Sequence, residues 1–155
     1  MTVIDDGHAV ASDLLDAVQE SSPGGHAYYP LLRGPKIGLM WVRMLANPGG
    51  ARIENIETIP VAVDVQVRRV TENLGVADTR DLDLERARPI IQDAWAVAVA
   101  EADLGGPDGI ADTCAALDPA LWFYAKWGCS HCESVGRRVP IGGACEGCLL
   151  GAGTL

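Results

Sequence analysis

At 155 residues the chain has room for one domain with a small metal-stapled appendix, and its 48% hydrophobic content is enough for a packed core. The net charge of −9 argues against a nonspecific nucleic-acid binder. No apolar run approaches the roughly 18 residues a membrane-spanning helix needs, and the start, Met1-Thr-Val-Ile-Asp-Asp, is neither basic nor apolar, so no signal peptide and a cytoplasmic location are expected.

The first element is a helix over 10–20, with Val10, Leu14, Leu15 and Val18 on one face. Ser21-Ser22-Pro23-Gly24-Gly25 breaks it. A short apolar piece, 26–32, leads into the turn Arg33-Gly34-Pro35-Lys36-Ile37-Gly38, and a second helical run covers 39–45 before Asn47-Pro48-Gly49-Gly50 stops it. A glycine-punctuated turn between two helical pieces can aim backbone N–H groups at a phosphate, although it is also ordinary loop chemistry. Tyr28, Tyr29 and Trp41 flank the turn and suit either core packing or stacking on a base.

Residues 51–61 read as extended or irregular. The spacing of Val67, Val70 and Leu74 predicts a helix over 65–74, with Gly75 as its stop. At its start stands Asp64, a lone carboxylate in an apolar stretch. It fits a helix N-cap, or a catalytic base or stabiliser of positive charge. A long helix is predicted over 84–102, with Ile90, Ile91, Ala94, Val97 and Ala98 inward and Pro89 in its first turn. Asp118-Pro119 predicts the start of a last helix, which carries Leu121, Trp122 and Ala125 towards the cysteines. The fold class is all-α, with a helical domain over 1–128 and a four-cysteine loop over 129–148.

Cys129, Cys132, Cys145 and Cys148 are spaced C-x2-C-x12-C-x2-C. Two short turns that each direct a pair of thiolates inward can close a tetrahedron round one metal; disulfides or buried thiols are the plainer alternatives. Four thiolates suit Zn2+ or an iron–sulfur cluster. Trp122, Tyr124 and Trp127 are placed to shield the metal, His131 lies between two ligands as an exposed or outer-sphere group, and Cys114 reads as a small buried hydrophobe. Charge is uneven. Residues 31–69 hold six basic groups (Arg33, Lys36, Arg43, Arg52, Arg68, Arg69) against three acidic ones (Glu54, Glu57, Asp64). That is a local +3, compatible with phosphate contact or with solvated helix faces.

The order of these features resembles the helix–hairpin–helix superfamily of base-excision DNA glycosylases, the endonuclease III and adenine-glycosylase branch. The resemblance covers about residues 10–148 and only the later part of the family domain, so the chain is expected to lack the family's early helices. It implies that residues 28–46 form the hairpin, that Arg33, Gly34, Pro35, Lys36, Ile37 and Gly38 grip double-stranded DNA, and that Asp64 is catalytic. It implies a [4Fe–4S] cluster on Cys129, Cys132, Cys145 and Cys148, with Zn2+ as the alternative. Lys36 is a Schiff-base nucleophile if the hairpin is shifted in register, and otherwise a surface lysine near phosphate. Several positions depart from the family pattern. Gly38 stands where the family's lysine falls if Gly34 and Lys36 take the two glycine places. Gln66 replaces a histidine, and 28 residues separate Lys36 from Asp64, implying an inserted loop near 47–58. Cys132 has to serve as a ligand that the family draws from elsewhere. The function implied is cleavage of the N-glycosidic bond of a flipped damaged or mispaired base; a non-catalytic DNA-binding or interaction module with structural zinc is the rival. A homodimer or partner chain completing the helical domain is a further expectation.

Overall fold

The computed structural model describes residues 8–102 and 113–134, apart from the side chains of 133 and 134. It is mainly helical, in keeping with the all-α class. In chain order the elements are strand β1 (His8–Val10), helices α1 (Ala11–Gln19) and α2 (Ile37–Ala46), strand β2 (Arg52–Glu54), a 3-10 turn (Ile56–Thr58), and helices α3 (Val65–Asn73), α4 (Leu84–Ala102) and α5 (Cys114–Phe123). A π-helical segment (Tyr124–Cys129) then runs directly into the short helix α6 (Ser130–Ser134). The two strands pair in parallel, His8 opposite Arg52 and Val10 opposite Glu54. Among the described residues no helix is long and apolar enough to cross a membrane.

Two apolar clusters form. One packs Leu14 of α1 and Val42 of α2 with Ile59 and with Ala115 of α5. The other packs Val61, Val63, Val67 and Val70 against Ile91 and Trp95 of α4 and Leu121 and Ala125 at the end of the chain's helical run. Helix α5 and the segment 59–63 supply residues to both, so they form the seam between the clusters.

Helix α3 shows why its boundaries were legible. Asp64 caps its first turn by accepting from the Gln66 and Val67 amides at 2.8 and 2.9 Å. At the other end Gly75 adopts φ 71°, and the Val76 amide reaches back to the Thr71 carbonyl at 3.0 Å, closing the helix with the left-handed residue that glycine tolerates best. Arg68 then ties the following loop down, donating to Glu72 and to the Thr79 and Leu82 carbonyls.

Four expectations are corrected. Helix α4 buries Ala87, Ile91, Trp95 and Val99, a strict four-residue stripe. Ile90 and Val97 sit off that stripe and are 44% and 56% exposed. Pro89 lies beyond the first turn, because Asp83 caps the helix further upstream by accepting from the Arg86 amide at 2.9 Å. Helix α5 starts at Cys114 rather than Asp118: Thr113 accepts from the Ala116 amide at 3.1 Å, and Asp118 points across the seam instead of capping its own helix. Finally, residues 26–32 form turns and a bridge between Ser21 and Ala27 rather than a helix, and Tyr28 and Tyr29 are half exposed rather than core.

One buried polar contact in the second cluster gives a direct stability test. The Trp95 indole N–H donates to the Thr71 hydroxyl at 2.8 Å, and that hydroxyl donates to the Val67 carbonyl at 2.7 Å. Thr71→Val keeps the shape but orphans the indole N–H, so urea denaturation should show a loss of about 1–3 kcal/mol with an unchanged m-value.

Candidate active site

The chain from Pro60 to Asp64 crosses the seam without regular structure, and Val61, Ala62 and Val63 are almost wholly buried. Three of its backbone groups have hydrogen-bond partners. The Val63 amide turns back on the Val61 carbonyl at 3.1 Å, Gln92 of α4 donates to that same carbonyl at 3.1 Å, and Asp118 of α5 accepts from the Ala62 amide at 2.9 Å. The segment therefore delivers Asp64 to the head of α3 in a fixed position.

Lys36 arrives from the other cluster. It is the residue immediately before α2, and the turn that carries it is fastened to α1: Arg33 donates to the Gln19 carbonyl at 2.8 Å. Gly38 is buried in this turn. A Cβ there would stand 3.0 Å from the Leu32 carbonyl, a crowded approach within the turn, and 3.5 Å from the Leu15 side chain of α1, an ordinary contact. From that position the Lys36 ammonium meets the Asp64 carboxylate at 2.5 Å across 28 residues of sequence. The lysine that reaches the carboxylate is thus Lys36 itself, and Gly38 is taken up by packing.

Asp64 gathers four donors: two α3 amides on one oxygen, and Lys36 Nζ and the Trp122 indole N–H, the latter at 3.1 Å, on the other. Burial is the largest single influence on its pKa and raises it. The Lys36 hydrogen bond and charge, together with the Val67 and Gln66 amides, outweigh burial and hold the carboxyl below its ordinary range. The pair is partly buried, with 15% of the Asp64 side chain and 28% of the Lys36 side chain exposed.

Trp122 and Asp118 are residues that sequence reasoning placed elsewhere, Trp122 against the metal and Asp118 as a helix cap. A signal was present: Asp118 interrupts an otherwise apolar helix, and Trp122 follows one turn later. Lys36, Met40, Arg43, Asp118, Trp122 and Phe123 line a partly open cavity of 200 Å³, whose walls do not include Asp64. A larger cleft of 550 Å³ lies on the far side of Arg43 and Pro119, between α2, β2 and α5; neither Lys36 nor Asp64 lines it.

The basic residues are more committed than their count suggests. Arg43 faces Asp118 at 3.7 Å, Arg68 is spent on carbonyls and Glu72, and Arg69 bonds to Gln66 and to Ser130 of α6. Gly34 lies at the bend of the turn, with its carbonyl taking the Gly38 amide at 3.2 Å; Pro35 and Ile37 face outward.

Of the four predicted metal ligands, Cys145 and Cys148 lie outside the described residues. Cys129 closes the π segment, buried, and Cys132 follows three residues on in α6, half-buried. The two are three residues apart along the helical run, a spacing that puts helical residues on one face. Among the described residues no group of three His, Cys, Asp or Glu side chains gathers at one point. Cys114 is buried, and its thiol is pushed up in pKa, first by burial. Trp127 is 66% exposed, with Lys126 stacked 4.5 Å from the Trp122 ring centre and 5.5 Å from that of Trp127. Comparison of the chain with protein-family models, curated proteins and solved structures found no match.

Proposed function

We propose that the chain is a DNA base-excision glycosylase acting on a damaged or mispaired base rotated out of the duplex, with Lys36 as covalent nucleophile. The observation that carries this reading is the Lys36–Asp64 pair. A lysine on a turn and a carboxylate on a helix N-terminus are brought from two separate clusters to 2.5 Å, beside a cavity walled by Lys36 and Trp122.

In the proposed reaction the C1′–N bond breaks with its electron pair leaving on the base, which takes up a proton. Positive charge develops on the sugar, and the ionised Asp64 stabilises it from a site with little water to screen the interaction. Lys36, having given one proton to the departing base, attacks C1′ through Nζ; the C1′–O4′ bond then breaks as a nitrogen-bound proton passes to O4′, leaving a protonated imine between lysine and the ring-opened deoxyribose. Base eversion is required because the glycosidic bond is unreachable within the stack. The turn from Arg33 to Gly38 would lie against the DNA backbone, with its own arginine anchored on α1.

Cys129 and Cys132 would hold, together with Cys145 and Cys148, a [4Fe–4S] cluster or Zn2+, which supplies a structural cross-link at this end of the helical run. A rival reading, a DNA-binding module with structural zinc and no catalysis, draws on one observation: the Lys36–Asp64 bond also braces the two clusters as a plain ion pair. The two are separated by offering the protein a panel of lesion-containing duplexes, with and without borohydride. The expected result is release of a free base and a trapped covalent adduct; neither product from any duplex, with protein that binds DNA, establishes the rival. Iron, sulfide and zinc content of protein purified anaerobically should show one metal centre per chain, and its loss in Cys129→Ser would tie that centre to this helix.

A further inference from the structure

Helix α5 touches the Asp64 segment at two points. Asp118 accepts from the Ala62 amide at 2.9 Å, and Trp122 donates to the Asp64 carboxylate at 3.1 Å. Asp118 and Trp122 are one helical turn apart, a rise of about 6 Å. Ala62 and Asp64 are two residues apart in the segment that crosses the seam. Both contacts are made at once, so α5 holds the segment at Ala62 and at Asp64.

We propose that Asp118 is a positioning residue for Asp64: by gripping the Ala62 amide it sets the depth at which the Asp64 carboxylate meets Lys36. This rests on the reading of Lys36 and Asp64 as the reactive pair. The grip asks only for an acceptor oxygen. Asp118 is 6% exposed, and it faces Arg43 and Lys36 from the α2 side and Asp64 from the head of α3. Burial pushes its carboxyl above the ordinary range, and Asp64 adds to the rise, while the Ala62 amide, Arg43 and Lys36 oppose it. A neutral carboxyl still offers its carbonyl oxygen to Ala62, so the contact does not depend on the charge of Asp118.

Two variants separate the bond from the charge. Asp118→Asn keeps an acceptor for the Ala62 amide, whereas Asp118→Ala removes it. Single-turnover borohydride trapping on saturating abasic duplex should fall roughly 100-fold in Asp118→Ala, the scale of a small misplacement of a reacting group. Duplex affinity should stay unchanged, and Asp118→Asn should recover most of the rate. Hydrogen exchange supplies a readout that needs no DNA chemistry. Protection of the Ala62 amide, and of the Gln66 and Val67 amides that Asp64 caps, should drop in Asp118→Ala and return in Asp118→Asn. Unchanged protection in Asp118→Ala overturns the proposal, as does an Asn variant as slow and as unprotected as the Ala variant. No adduct from the wild type, with the exchange pattern as expected, removes the glycosylase reading and leaves the positioning role standing. If Asp118→Ala does not fold, Asp118→Asn decides alone: loss of Ala62 protection in that variant overturns the proposal.

Discussion

Lys36→Ala should leave no borohydride-trapped adduct on abasic DNA, a loss on the order of 10⁴-fold or more, as when a covalent nucleophile is removed from other enzymes. The same change takes away the cation that faces Asp64 and should lower stability by about 1–2 kcal/mol, since the pair is partly screened by solvent. Lys36→Arg separates the two effects. An arginine keeps the positive charge, and with it much of the stability, but a guanidinium cannot give up its proton to become a nucleophile. Trapping should therefore be lost in both variants and stability in the first alone. Gel trapping and thermal denaturation measured on the same preparations check both outcomes. A trapped adduct in Lys36→Arg would assign the covalent step to another amine.

Asp64→Asn should slow base release by roughly 100- to 1,000-fold, the usual effect of deleting one preorganised electrostatic partner of a transition state. Asparagine is as good a helix N-cap as aspartate, so the Gln66 and Val67 amides keep their acceptor and α3 should persist. The pH dependence of stability gives a second check. The folded protein holds the Asp64 carboxyl below its ordinary value of 3.8. Its contribution is therefore fully present at neutral pH, begins to fade as the pH falls to that ordinary value, and is gone below the folded value. The stability gap between wild type and Asp64→Asn should be widest near neutrality and close in strong acid. A gap that instead widens on acidification would mean that Asp64 is not held ionised by Lys36.

Much of this site was legible in the residues because its parts announce themselves locally. A carboxylate at the head of an apolar helix and a Gly-Pro-Lys-Ile-Gly turn are short patterns with local causes. So are the helices α1, α3 and α4, whose extents follow from apolar periodicity and stop residues. What was hidden depends on tertiary choices. Asp118 before Pro119 has every local feature of a cap, but the Ala62 amide, 56 residues earlier, competes for the same oxygen and wins because it is buried. Trp122 looked like cover for the cysteines, and only the crossing of α5 over the 60–64 segment turns its indole towards Asp64. Similarly, the inward face of α4 could be drawn through Ile90 or through Trp95; the hydroxyl of Thr71, waiting on α3, decides for Trp95. The register of the lysine was ambiguous in sequence because placing Gly34 and Lys36 in the two glycine places puts Gly38 at the lysine position, and only the tertiary contact of Lys36 with Asp64 shows which side chain reaches the carboxylate.

The π segment between α5 and α6 has a consequence for how the chain can vary. An ordinary helix turns about 100° per residue, and a π segment accommodates an extra residue without breaking the rod. Upstream of Tyr124 the rod aims Trp122 at the carboxylate; Cys129 is the last residue of the segment and Cys132 follows it in α6. Residues 124–129 thus set the rotation between Trp122 on one side and the two cysteines on the other. Deleting one residue there would leave the indole engaged while swinging both sulfurs roughly a quarter-turn away, so length in this stretch is constrained more tightly than side-chain identity.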